Sequence, residues 1–183
     1  MTPAVMPSWM RPMRRQNQEI GDEERMWEIL RRADVCRIAF CHEGWPYIVP
    51  MNFGCLDGKL YFHCASEGTK LDLLDANPNV CFEVDVNVEI VPGADACNWS
   101  VRYQSVVGLG RLSIVEGSEE KRAGLKALLA QCKALAQYAG SAQAAELSQQ
   151  TDQGVELPEN VSAATVILRI DIESMTGKES TGD

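Results

Sequence analysis

No stretch of this 183-residue chain approaches the roughly 18 consecutive apolar residues that a membrane-spanning helix needs. Met1 to Met13 also lacks the continuous hydrophobic segment of a secretory leader, so the expected location is the cytoplasm. There is no CxxC pair, no GxGxxG and no P-loop pattern, and strands do not alternate with helices as a Rossmann sheet requires. Positive charge is scarce, with 17 Lys and Arg against 26 Asp and Glu. The resulting net charge of −9 excludes the broad basic surface that nucleic acid or an anionic membrane would demand, while leaving room for a local phosphate pocket. Cysteine is plentiful, but the seven are an odd number, and Cys36, Cys41, Cys55, Cys64 and Cys81 mostly lie in strand-like apolar runs. That pattern predicts reduced, buried thiols rather than a disulfide framework. Cys41-His42 and His63-Cys64 are adjacent pairs, and neighbours on a strand point to opposite faces, which disfavours a metal site.

What is present centres on Tyr47 to Pro78. Alternation from Tyr47 sets Ile48, Pro50 and Asn52 on one face and Val49, Met51 and Phe53 on the other. Leu60 to Cys64 reads as a second strand, with Tyr61 and His63 opposite Leu60, Phe62 and Cys64. Asp57-Gly58 between them supplies the positive φ of a tight hairpin turn, predicting that these two strands are antiparallel neighbours. Ser66-Glu67-Gly68-Thr69-Lys70 then opens a helix with Leu71 and Leu74 facing inward, ending at Asn77-Pro78. A helix start presents unpaired N–H groups; Thr69 adds a hydroxyl, Lys70 a charge and Gly68 close backbone approach. The set suits a phosphate monoester better than a diphosphate, although an ordinary capped surface helix with one solvated lysine fits the same residues.

The length fits one domain with a substantial core. Residues 1–20, with Pro3, Pro7, Pro12 and Arg11, Arg14, Arg15, read as an N-terminal arm; 21–178 read as a single domain and 179–183 as a tail. Asp22 caps a helix through about Ala33, with a stripe of Met26, Ile29, Leu30 and Ala33. Val35 to Cys41 is a strand with Cys36, Ile38 and Phe40 inward and Arg37 outward. Asn79 to Val91 alternates Val80, Phe82, Val84, Val86 and Val88 against polar residues. Trp99 to Glu116 pairs with it, and Gly108 and Gly110 predict a bulge or bend. Ser118 starts the longest helix, striped by Leu125, Leu128, Leu129, Cys132 and Leu135. Residues 139–160 read as helix fading into a mobile loop, and Ala164 to Ile172 as the last strand. Thr176-Gly177-Lys178 reads as a second anion contact or a solvated end. The sum is a mainly β, β plus α architecture: a six-stranded antiparallel split β-barrel with flanking helices.

YIVPMNF, LYFHCASEGTKLDLL, NPNVCFEVD and YQSVVGLGRL, in that order and spacing, resemble the split-barrel FMN-binding family related to pyridoxamine phosphate oxidase, and more narrowly its nitroimidazole-resistance branch. The resemblance implies a homodimer holding FMN at its interface. It places Val49, Pro50, Met51 and Asn52 along the flavin ring, His63 and Cys64 beside it, and Ser66, Gly68, Thr69 and Lys70 around the phosphate. Tyr103 and Ser105 match a strand approaching from the other side of the cleft. Two departures stand out: Thr69-Lys70 replaces the Arg-Lys pair of the oxidases, and their C-terminal substrate-binding Arg and His have no clear counterpart. The implied activity is an FMN-dependent reductase taking electrons from NADH, NADPH or another donor and passing them to a small aromatic or nitro compound. The alternative is a non-catalytic FMN- or haem-binding protein. His63 has three open readings: a satisfied core histidine, a cofactor neighbour or proton donor, or a ligand for metal or haem.

Overall fold

The computed structural model describes residues 10–138 and 165–182. Its strands are β1 Glu19–Ile20, β2 Cys36–His42, β3 Trp45–Met51, β4 Gly54–Leu56, β5 Lys59–Ala65, β6 Asn79–Val91, β7 Ser100–Ile114 and β8 Thr165–Ser180. Its helices are α1 Glu23–Arg32, α2 Thr69–Ala76 and α3 Ser118–Tyr138. Every pairing is antiparallel, in the order β3-β2-β6-β7-β8-β5-β4, with β1 added against β8. Eight strands stand where the sequence predicts six, because β1 and β4 have two and three residues and are too short to show alternation.

The hairpin is only partly as expected. Asp57 (φ 49°) and Gly58 (φ 73°) make the two-residue turn, with Leu56 opposite Lys59. The strand they join to β5 is β4, however. The strand predicted from Tyr47 is β3, and it pairs instead with β2, Arg37 opposite Pro50 and Ile38 opposite Val49. Pro46 and Pro50 lack the N–H that a second neighbour would need, and β3 accordingly takes an edge.

That correction explains the barrel. β3 and β4 occupy the two ends of the strand order, yet only Asn52 and Phe53 separate them. Three Cα–Cα steps keep those edges within about 11 Å. The sheet must therefore roll until its edges meet, without a hydrogen-bonded ladder across the seam: a split barrel. Phe53 is buried at the seam and stacks on Phe62, ring centroids 6.1 Å apart.

The inward face builds one core from Ile38, Phe40, Phe62, Phe82, Val84, Val106, Leu168 and Ile170, joined by Ile29 and Leu30 of α1. Asp22 starts α1 as expected, accepting a hydrogen bond from the Glu24 amide at 3.0 Å. Gly108 is required by packing, since a β-carbon there would lie 2.2 Å from the Phe82 ring. The predicted irregularity is present as a register shift in the β7–β8 pairing between Leu109 and Gly110. A second shift, unforeseen, falls between Val86 and Glu89 of β6, where Asn87 has φ 55°. Beyond it Val88 is 58% exposed, so the inward stripe expected through Val88 stops at Val86.

β8 continues to Ser180, well past the predicted end at Ile172. The reason is β1: Glu19 opposes Lys178 and Ile20 opposes Gly177, so the end of the 1–20 stretch is built into the sheet and Ile20 is buried. On α3 the buried side is Gly124, Ala127, Leu128 and Gln131, while Cys132 is exposed rather than part of the stripe. The Gln131 amide fixes this rotation by donating to the carbonyls of Leu30 (3.0 Å) and Ala33 (3.2 Å) at the end of α1. The segment 139–160 expected as fading helix and loop lies outside the described residues.

All seven cysteines are free. Cys36 is buried, and Cys55, Cys64 and Cys81 are half-buried; burial raises the Cys36 thiol strongly and pushes Cys55 up to about 12. Cys41 departs from the expectation of burial, because it lies where β2 runs out opposite Pro46 of the edge strand. Among the described residues no helix is long and apolar enough to cross a membrane, and no three His, Cys, Asp or Glu gather to hold a metal.

Candidate functional site

β5 ends at Ala65, and Ser66, Glu67 and Gly68 carry the chain into α2. Gly68 has φ 124° and ψ 161°, a conformation that side chains resist, and no atom lies within 4 Å of where a β-carbon would stand. Its carbonyl accepts from the Leu71 amide at 2.8 Å, and no side chain caps the helix. The first amides of α2, those of Thr69 and Lys70, are left without an intrahelical acceptor. Lys70 is half-buried there, and Ser66 and Thr69 are exposed. The Cys64 thiol is pushed up by burial and drawn back by the Lys70 ammonium, so the two side chains act on one another. The structure thus gathers Cys64, Ser66, Gly68, Thr69 and Lys70 at one end of β5. These residues fit a phosphate group: free amides, one cation, one hydroxyl and a glycine that clears the approach.

The other predicted residues fall elsewhere. In β3, Val49 lies opposite buried Ile38 and packs with Met51 against the core, whereas Pro50 turns outward beside Arg37. Asn52 is exposed in the link across the seam. His63 is exposed on the face opposite to Cys64, the same face as Tyr61, whose hydroxyl donates to Glu120 of α3 at 3.1 Å. His63 and Lys70 therefore belong to different sides of β5.

Tyr103 and Ser105 stand half-buried on the outer face of β7. That face is charged. Arg37 donates to Glu83 (3.0 Å) and Asp85 (2.6 Å), Asp85 opposes Ser105, and Ser105 opposes Lys178. Burial first, then Asp85, raises the Glu83 carboxyl above its ordinary range despite the arginine. Lys178 donates to the Tyr103 hydroxyl at 2.7 Å, with its ammonium 5.2 Å from the ring centroid. It is an ordered strand residue, not a solvated end. Around it Met13, Arg14, Arg15, Ser100, Val101, Tyr103 and Ser180 line a cavity of about 470 Å³. Arg14 and Arg15 were read from sequence only as part of an arm; two adjacent arginines in a strongly acidic chain were the available signal.

Along β8, Cys64 is paired with Val166 and Ser105 with Lys178. Those twelve positions correspond to about 40 Å of strand. The α2 cradle and the Tyr103–Ser105 face are at opposite ends of it.

A rolled, unclosed antiparallel sheet with an uncapped helix start after β5 defines a split-barrel protein. The chain belongs to the pyridoxamine 5'-phosphate oxidase family, which matches over residues 22–179. Among solved structures, a candidate 5-nitroimidazole antibiotic resistance protein from Bacteroides thetaiotaomicron is 28% identical, over 88% of this chain and 86% of that one, with a TM-score of 0.67. A FAD-binding protein from Mesorhizobium loti is 26% identical over 87% and 96%, with a TM-score of 0.57. The FAD and haem binding protein of Mycobacterium smegmatis shares the fold, at 21% identity over 90% and 74% and a TM-score of 0.69. No curated protein matches the chain.

Proposed function

We propose that this protein binds FMN and acts as a reductase of small aromatic or nitro compounds, using NADH or NADPH as donor. The observation that carries the reading is the uncapped start of α2 beside Lys70, whose free amides and cation suit a phosphate group, in a chain of this family. The relative described by 5-nitroimidazole resistance supports the substrate class, and the one described as FAD-binding supports a flavin. A single cation, with Thr69 where a second would stand, favours the monoester of FMN over a diphosphate. FMN supplies the redox chemistry; the chain's task is to hold and orient it. Ser66, Gly68, Thr69 and Lys70 would hold the phosphate, Cys64 would border it, and the backbone of Val49, Pro50, Met51 and Asn52 would run along the ring. His63 is the side chain suited to deliver a proton.

Two observations support a homodimer. Trp45, Tyr47 and Ile48 of the edge strand are exposed apolar residues. Tyr103 and Ser105 are far along β8 from the cradle, so a ligand touching both takes them from two copies. Seven free thiols fit the reducing cytoplasm. The test is the visible spectrum of protein reconstituted with FMN, followed anaerobically on adding NADPH or NADH. A bound flavin that bleaches, and recovers with a nitroaromatic, supports the reductase. A bound flavin that no donor reduces removes it and leaves a binding protein. The exposed imidazole of His63 gives haem a route as second ligand, which a Soret band lost in His63→Ala would reveal.

A further inference from the structure

Two cavities of similar size open on the described surface, and their electrostatics differ. The one of about 480 Å³ between α1, α3 and β6 mixes Arg31 and Arg32 with Asp34 and Asp85. Its cations are engaged, Arg31 with Glu24 and Arg32 with the Asn87 carbonyl. The cavity of about 470 Å³ at the Tyr103 end of β8 has Arg14, Arg15 and Lys178 in its wall and no carboxylate among its described lining residues.

Among the described residues no carboxylate forms an ion pair with these three cations. Glu19 is Lys178's partner across β1 and β8 but forms no ion pair with it among the described residues. Glu179, the next residue, is held by Arg25 (2.6 Å) and Gln104 (2.9 Å). Arg14 and Arg15 have no acidic partner among the described residues. Three like charges on one concavity repel each other, and an entering anion relieves the repulsion. The local hydrogen bonds are arranged for a donor-rich site. Because the Tyr103 oxygen accepts from Lys178, its own proton stays available to a ligand. Ser180 is already committed to the Val101 carbonyl at 2.9 Å, and the Ser100 hydroxyl adds a further polar group to the lining.

We propose that this cavity is a second anion site, distinct from the α2 cradle, that takes a small molecule carrying a phosphate or diphosphate group. Guanidinium forks from Arg14 and Arg15 grip the phosphoryl oxygens, Lys178 supplies a third charge, and Tyr103 donates its hydroxyl proton. Met13 and Val101 offer apolar wall to the rest of the ligand. The site goes beyond the flavin reading and survives its failure, since only Tyr103 is common to both.

The experiment is calorimetric titration of the full chain with pyrophosphate, in parallel with FMN. Expected are saturable pyrophosphate binding that weakens with salt, and at least about tenfold weaker binding in Arg14→Ala/Arg15→Ala and in Lys178→Gln. Lys70→Ala keeps pyrophosphate affinity and loses FMN affinity, while the double arginine variant does the reverse. No saturable binding by the wild-type chain overturns the proposal. So does pyrophosphate binding that Lys70→Ala abolishes and the arginine variant retains, which would locate the anion at α2. Benzoate binding as tightly as pyrophosphate overturns the ligand class. Arg14 and Arg15 are exposed, so the variant keeps the fold, as a thermal melt checks. If FMN fails to bind any form, the flavin reading falls and the pyrophosphate titration still decides this one.

Discussion

Gly54 lies against Ala127 so closely that a β-carbon on the glycine would stand 2.4 Å from the alanine's carbonyl carbon. This contact lets α3 seat directly on β4, the short strand at the seam. Backbone cannot give way as a flexible side chain would. Gly54→Ala is therefore expected to cost about 1–3 kcal/mol or more, as overpacking does, read from urea unfolding. An unchanged midpoint would show that α3 is not held by this contact.

Gln131 is a buried polar side chain that ties α3 to α1. Its amide serves two carbonyls at the end of α1, and replacing it with leucine takes the side-chain donor from Ala33, while the Leu30 carbonyl keeps the Ala33 amide at 3.3 Å. Gln131→Leu should lose about 1–3 kcal/mol. Amide exchange at the last turn of α1 should also accelerate, separating a local cap from a general loss of packing.

The cradle at α2 makes a prediction about affinity. A charge-assisted contact from Lys70 is worth about 1.5–3 kcal/mol, so Lys70→Ala should weaken FMN binding roughly tenfold to a hundredfold. Quenching of flavin fluorescence on titration measures it. Equal affinity in the variant would place the phosphate elsewhere.

A pH dependence resides at Glu120. The Arg169 guanidinium, 2.7 Å away, holds its carboxyl below the ordinary value of 4.5, helped by the Tyr61 hydroxyl. A carboxylate with a lowered folded pKa contributes stability that is complete above its unfolded pKa and disappears as pH falls through the folded one. The stability gap between wild type and Glu120→Gln should therefore be widest near neutrality and close as pH drops below about 4.5. Tyr61, which burial and then Glu120 push up to about 12, stays protonated throughout this range and does not confuse the measurement. A gap independent of pH would mean the ion pair carries no net stability.

Much of the site's raw material was legible locally. Gly68, Thr69 and Lys70 were readable as a helix start because such a start has a short sequence signature. What was not legible was company. Cys64 and His63 are adjacent in sequence, but the strand sends only Cys64 toward Lys70. Arg14 and Arg15 meet Lys178 because β1 docks on the last strand, a pairing of two residues that no periodicity announces.

The amino-acid order alone determined the features that repeat at short range. The bounds of β6, Asn79–Val91, followed from two-residue alternation, the buried Met26, Ile29 and Leu30 from helical spacing behind Asp22, and the Asp57-Gly58 turn from backbone preference. Tertiary structure decided which strands are neighbours: β3 with β2, β4 with β5, and a seam between them at Asn52 and Phe53. It also rotated α3 to bury Gln131 and stopped the inward stripe of β6 at Val86. The reason is physical. Periodicity and turn preference act between residues a few positions apart, whereas pairing, rotation and register are chosen by which distant surfaces bury the most apolar area without orphaning polar groups.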